Sequence, residues 1–449
     1  MSAGAPPTIN EFTVAFASRN IGQEMHRLIA DLYPLCRSIT GNGFRETLSI
    51  IRRYVSLRAH EVPTGTKVFD WTVPKEWKIR DAYIANSRGK RIIDFNKSNL
   101  HVVGYSVPVK RKMALSELRE HLFTVPEHPD WIPWRTSYYK EDWGLCLSHR
   151  QLSKLTDDEY EVCIDASLED GHLTYGEYQL QGESSDEVVI SCHACHPSLC
   201  NDNLSGVALV ALLAKYLTPL SLRYSYRFLF LPVTIGSITW LALNESQVPR
   251  IKHGLAVACV GDPGRPTYKK SRRGNADIDK AVGHILKHSE EQHEIMEFSP
   301  YGYDERQFCS PGFDVPMGCL MRTPYGRFPE YHTSADNLDF IQPQYLGGSF
   351  STVWSALYVL EHNRLYVNQN PKCEPQLGRR GLYRAIGGQA HADTNELAML
   401  WVLNLSDGRH TLLDIAQRSG LGFRLVKHAA DRLLHHGLLK EQPVPTGLD

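Results

Sequence analysis

The chain has 449 residues, with 49 Lys and Arg against 50 Asp and Glu, for a formal net charge of -1. That balance gives no global field to draw in nucleic acid or an anionic membrane. The length exceeds one ordinary domain, so two or three are expected, and no apolar run reaches the roughly 18 residues of a membrane span. The opening Met1-Ser-Ala-Gly-Ala-Pro-Pro7 has no basic stretch followed by an apolar one. It reads as an unordered tail, not a signal peptide. The 10 cysteines are scattered without paired zinc-ribbon spacing, so reduced thiols in a cytoplasmic protein are the expectation.

Residues 20–57 read as helical, with Met25, Leu28, Ile29 and Leu32, then Leu48, Ile51 and Val55, at helix spacing. Between them Arg37 to Arg45 is a turn-rich link with two glycines. From about 65 to 160 the pattern becomes strand-like and rich in Pro, Trp and Tyr, as in Val68–Val73, Ala82–Ala85 and Leu100–Val107. Residues 65–159 therefore read as a β-rich module inserted into a domain formed by 15–64 and 160–365. In 160–365 short apolar strands (Tyr160–Ile164, Glu187–Ser191, Tyr226–Leu231, Leu255–Val260, Pro316–Met321) alternate with helices (Leu204–Leu217, Ser237–Asn244, Ala276–Lys287, Gly347–His362). That alternation predicts an α/β fold, with a mixed, mostly parallel sheet flanked by helices.

Residues 366–390, rich in Gly and Pro, form a linker. Residues 391–449 read as three helices separated by turns. Gly420-Leu-Gly422 before Phe423–His435 resembles a winged-helix turn and recognition helix. DNA binding is one reading. However, Arg424, Lys427 and Arg432 are offset by Asp431, Asp407, Asp414 and Glu441. Contact with a protein partner or a second copy of the chain is preferred, and nucleic acid is not expected.

The chemistry concentrates in Ser191-Cys-His-Ala-Cys-His-Pro-Ser-Leu-Cys-Asn-Asp-Asn-Leu-Ser-Gly206. It follows an apolar strand and leads into a helix, where open α/β sheets place ligands. Asn203 is placed to cap that helix. His193, His196 and Asp202 stand here, Asp262 closes the strand ending Val257-Ala-Cys-Val-Gly-Asp262, and His332 lies in Tyr331-His-Thr-Ser-Ala-Asp336. Histidines and carboxylates at several strand ends of one parallel sheet would meet at one edge, as a zinc site requires.

These segments resemble the co-catalytic zinc aminopeptidases, the clan that also holds glutaminyl cyclases and transferrin-receptor ectodomains. The match covers roughly 20–60 and 160–365. Asp202-Asn-Leu-Ser-Gly206 matches the stretch carrying the metal-bridging aspartate, and His193-Ala-Cys195 stands in the His-x-Asp place, with Cys195 for the aspartate. Asp262 matches the later strand-end ligand and His332 the ligand of the second metal. A narrower resemblance is to a bacterial aminopeptidase-like sub-family with an inserted β module and a winged-helix tail. It rests on His193–Ser198, Gly261–Gly264, Asp304–Gln307 and Glu330–Ser334.

The resemblance implies one zinc on His193, Asp202 and Asp262, with His332 available. It also marks a departure. The family's Glu-Glu pair, general base and second-zinc ligand, is here Val233-Thr234. The second zinc lacks its carboxylate, and the usual base is absent. Two roles are open to His196: replacing that carboxylate, or hydrogen-bonding beside the ligands. Three explanations are open for Val233: an engineered change, a descendant that kept binding but lost hydrolysis, or transfer of the base role to Asp304 or Glu305. Arg272 and Arg273, with Arg37, are candidate substrate contacts, and Arg45 is a further candidate for approach to the site. The expected function is zinc-dependent hydrolysis of an amide or peptide-like small molecule, or acyl transfer or cyclisation, in a biosynthetic role. The alternative is a catalytically inactive fold used for binding.

Overall fold

The computed structural model describes residues 20–156, 159–382 and 394–443. The expected tail Met1–Pro7 and part of the expected linker lie outside the described residues. The chain divides into two compact units, Met1–Gly274 with His293–Ser351, and Asn275–Gln292 with Thr352–Asp449.

The first unit is built on an eight-stranded sheet. Across it run Arg58–Pro63, His172–Leu180, Ser225–Leu231, Glu187–His193, Ile251–Val257, Met317–Met321, Thr267–Lys269 and Glu294–Met296. Glu187–His193 lies parallel to Ser225–Leu231 on one side and to Ile251–Val257 on the other, and Ile251–Val257 is parallel to Met317–Met321. Both Glu187–His193 and Ser225–Leu231 are buried along their whole length, as continuous apolar strands covered on both faces must be. The chain leaves Glu187–His193 toward one neighbour and returns on its opposite side. His193 therefore ends its strand at a topological switch point, where such sheets open a crevice.

A buried cation braces the sheet. Arg227, 2% exposed, donates to both Glu187 oxygens (2.7 and 3.0 Å), to Gln247 (2.7 Å) and to Glu177. Trp240 Nε1 also donates to Glu177, at 3.2 Å. A charge so deep is tolerated only when paired.

The helix Ser205–Leu217 packs along the sheet with nearly all its residues buried. Its first turn crosses the strand ends so closely that a Cβ on Gly206 would lie 2.5 Å from the Val257 carbonyl oxygen. Glycine is therefore required there. The helix Ile21–Leu32 lies against Ser205–Leu217.

The inserted residues form a four-stranded antiparallel sheet in the order Arg91–Asp94, Glu76–Ala85, Glu159–Glu169, Val109–Ala114. The segment Tyr160–Ile164 was expected among the core strands. It pairs instead with Glu76–Ala85 and Val109–Ala114. Arg45 of the helix Asn42–Ile51 ties this sheet to the core, reaching both Glu76 oxygens at 2.8 Å and both Glu61 oxygens at 3.0 and 3.1 Å.

In the second unit the helices Thr394–Leu405, Leu412–Ser419 and Phe423–His435 accompany an antiparallel sheet ordered Asp407–Thr411, Leu365–Asn368, Leu439–Gln442. This is a winged-helix arrangement. The expected linker thus begins with a strand of that sheet. Among the described residues no helix is long and apolar enough to cross a membrane.

Replacing Arg227 with Met strands Glu177 and Glu187 in the interior. We expect a loss of about 3–5 kcal/mol, read as a lower midpoint for the first unit in urea unfolding.

Candidate metal centre

The centre grows from the loop after Glu187–His193. Asn203 knots it to the sheet: Nδ2 donates to the Val257 carbonyl at 2.9 Å and lies 3.3 Å from His193 Nδ1. Its Oδ1 accepts from the Gly206 and Cys259 amides, both at 3.1 Å. Asn203 thus caps the helix as expected, and fixes two strand ends as well. From the far side Asp336 accepts from the amides of Asn201 (2.5 Å) and Asp202 (2.9 Å). Burial pushes the Asp336 carboxyl up to about 8, and those two amides pull against it.

Asp202 is the centre of the site and has no exposure. His193 Nε2 lies 2.8 Å from Oδ1, His332 Nε2 lies 2.9 Å from Oδ2, and His196 Nε2 lies 3.9 Å from Oδ2. Burial alone raises the Asp202 carboxyl, but His196, His193 and His332 override it and hold the group well below the usual range. Burial also pushes His196 well below the ordinary imidazole value. Burial thus favours the neutral ring, the form that binds a metal. Among the described residues, His193, His196 and Asp202 form the single group able to hold a metal ion, with ligand atoms within 4.8 Å of one another. Imidazole nitrogens with one carboxylate suit zinc.

The other sequence candidates are placed as follows. Asp262 is outside that group. Its oxygens accept from Asn201 Nδ2 (2.9 Å), the Gly264 and Thr323 amides (2.8 and 3.2 Å) and Thr323 Oγ1 (2.5 Å). Those donors occupy it as a knot between loops. Cys195, 1% exposed, receives the Val233 amide at 3.4 Å and lies 3.9 Å from His196 Nδ1. Burial pushes its thiol up to about 12. Asp304 is buried. Its Oδ1 accepts from Ser237 Oγ at 2.8 Å, and its Oδ2 has no hydrogen-bond partner. Burial pushes its carboxyl up to about 6. Glu305 is fully buried and ion-paired with Lys269. Arg37 is also interior: its Nε donates to the His196 carbonyl at 2.9 Å and its Nη1 to Leu32 at 2.6 Å. Arg272 and Arg273 both pair with Asp314 at the surface, at 2.7 and 3.3 Å.

Two site residues carried no recognisable motif. Trp134, from the inserted module, sets its ring edge-on to His196 (4.3 Å) and His332 (4.6 Å). Tyr303 stacks on His193 at 4.6 Å, and its hydroxyl meets Cys259 Sγ at 3.3 Å. Only the Trp-rich composition of the insert and the tyrosines of Tyr301-Gly-Tyr-Asp304 hinted at them.

Comparison with known proteins agrees with this architecture. The family profile described as "Domain of unknown function (DUF4910)" matches residues 26–363, and a winged helix-turn-helix profile matches 364–441. A Clostridium acetobutylicum protein, provisionally named a polysaccharide biosynthesis protein with an aminopeptidase-like domain, is 55% identical over 423 residues, or 94% of this chain and 97% of the relative. A crystal structure from Clostridium acetobutylicum, provisionally described as a peptidase, superposes with a TM-score of 0.92 at 52% identity, covering 97% of this chain and 100% of that one. A zinc aminopeptidase of Bacillus subtilis shares the fold at a TM-score of 0.55 and 12% identity, covering 76% of this chain and 95% of that one.

Zinc titration of the full chain should saturate at one ion. Asp202→Ala should abolish binding, and Asp262→Asn should keep it while lowering the thermal midpoint. Elemental analysis after gel filtration distinguishes the three proteins.

Proposed function

The chain belongs to the family described as a domain of unknown function, DUF4910, and we propose that it is a zinc-dependent enzyme acting on an amide or peptide-like small molecule. The observation that carries this reading is the buried His193–His196–Asp202 group at the switch point of the sheet, with His332 on its open side. Zinc held there would supply Lewis acidity, polarising an amide carbonyl and acidifying water near neutral pH. The protein's own residues do the rest. Asp202 would offset part of the cation's charge, Arg37 fixes the backbone of His196, and Trp134 packs edge-on against the His196 and His332 rings.

Val233 cannot accept a proton, and loss of a general base costs about 10²–10⁴-fold in rate. Asp304 is the acid best suited to the vacancy. Ser237, to which it is bonded, lies in the first turn of the helix Ile235–Leu243, which starts directly after Val233-Thr234. The carboxylate thus reaches the same helix start from another segment. One of its oxygens is free, and its pKa near 6 suits a base at neutral pH. Acyl transfer to a nucleophile carried by the substrate, including cyclisation, stands beside hydrolysis because it places a lighter demand on that base.

The name of the Clostridium acetobutylicum relative supports a biosynthetic role. The winged-helix unit is assigned to protein contact. The amide of Phe423 donates to His284 Nε2 at 3.1 Å, Arg424 lies over the Tyr358 ring at 4.3 Å, and Lys427 pairs with Asp431 at 2.6 Å. The helix start that reads bases in helix-turn-helix proteins is engaged within its own unit. A second reading, a binding protein that kept its metal and lost turnover, is favoured by Val233 and by the engagement of Glu305 with Lys269.

Zinc-loaded protein should turn over aminoacyl amides at a rate that rises with pH through about 6, as Asp304 ionises. Asp304→Asn should lower the rate by about 10²–10⁴-fold and remove that limb, and Val233→Glu should raise the rate. A zinc-replete chain that stays inert, with Val233→Glu inert too, establishes the binding protein instead.

A further inference from the structure

The inserted module does more than cover the core. Its segment 132–134 is stitched to the loop of His332: Trp134 N–H donates to the His332 carbonyl at 2.7 Å, Ile132 N–H to Ser334 Oγ at 2.9 Å, and Ser334 N–H to the Ile132 carbonyl at 2.8 Å. Beside this seam opens a cleft of about 390 Å³ lined by Phe123, Trp134, Arg135, Asp142, Trp143 and His332, among others. That volume falls within the ordinary range of small-ligand sites. His332 belongs to both places. It lines the cleft and lies 2.9 Å from Asp202, so whatever fills the cleft abuts the metal centre.

The lining has a definite chemistry. Arg135 lies over the face of Phe123 at 4.4 Å, and among the described residues it has no carboxylate partner. An exposed guanidinium that lies over an aromatic ring without a carboxylate partner is suited to a planar carboxylate. Trp143 is fixed by stacking on His121 at 3.7 Å, so its indole is a rigid platform. Asp142 accepts from the Trp143 amide at 2.9 Å and from Lys140 at 2.8 Å. Its oriented carboxylate, with the Thr136 and Ser137 hydroxyls, offers acceptors and donors to ring hydroxyls. A purely aromatic ligand would leave these polar groups unmatched, and a neutral sugar would leave Arg135 unmatched.

We infer that this cleft is a recognition site for a sugar acid, a polyhydroxylated ring whose carboxylate pairs with Arg135 while its amide-bearing end faces His332. The inference rests on the amide-directed reading for its second half, and its test is one of binding alone. The full chain, zinc-free and zinc-loaded, is titrated with D-glucuronate, D-glucose and phenylacetate, followed by tryptophan fluorescence and saturation-transfer NMR. Glucuronate should bind roughly tenfold more tightly than either other probe. Arg135→Gln should bring it down to the level of glucose, and Trp143→Ala should weaken both sugars. Zinc content and the thermal midpoint of each variant establish that the fold is retained. Equal binding of the three probes, absence of glucuronate binding, or an unchanged preference in Arg135→Gln overturns the assignment. A chain that prefers glucuronate but turns over no amide keeps the cleft and loses the enzyme. A chain that turns over amides without that preference does the opposite.

Discussion

A carboxylate with no access to water survives in a folded interior only if its charge is matched and its lone pairs are met. Asp202 is such a group, and much of the surrounding structure answers that demand. Three imidazoles converge on its two oxygens. The backbone that carries it is gripped from one side by Asp336 and from the other by Asn201 and Asn203. None of these groups is placed to relieve Asp202 without being held in turn. Asn203 spans two strand ends, and Arg37 pins the chain at His196. The cluster is stiff because every member is over-determined, the condition a metal site needs to impose its own geometry.

Two properties of the site therefore separate. The His193–His196–Asp202 group can hold a cation. Val233 has no titratable group and takes no part in proton transfer. Asp262 shows a related economy. With four donors on its two oxygens it ties the loop after Ile251–Val257 to the neighbouring loops. That tie places the Cys259 amide on Asn203, and so reaches the metal centre through the backbone.

The sequence made the parallel core legible because its strands are continuous apolar runs ending in polar loops, and those ends carried the ligand candidates. His193, His196 and Asp202 could be found that way. The module boundary was less legible. Tyr160–Ile164 has the same apolar character as a core strand, and only long-range pairing shows that it closes an antiparallel sheet with Glu76–Ala85. Trp134 was invisible for the same reason. Nothing local tells a surface tryptophan from one that crosses 198 residues of sequence to lie against His332. The environment of a side chain was also hidden: Arg37 reads as a candidate substrate contact in the sequence and is 1% exposed in the fold.

The loop 330–336 explains why an inserted module can influence a metal centre built by the core. At one end Thr333 and Ser334 pair with Pro133 and Ile132 of the insert. Just before them His332 holds a left-handed backbone, φ 57, uncommon for any residue but glycine, with its ring stacked on Tyr331 at 3.8 Å. At the other end Asp336 holds the amides of Asn201 and Asp202. A shift of the insert relative to the core would have to move His332 and Asp336 together, since the stitched residues Thr333 and Ser334 lie between them. His332 is also the exposed imidazole of the cluster, at 32% against 1% and 6% for His193 and His196. The imidazole that lines the cleft is thus the one whose backbone the insert holds, through the Trp134 amide on the His332 carbonyl.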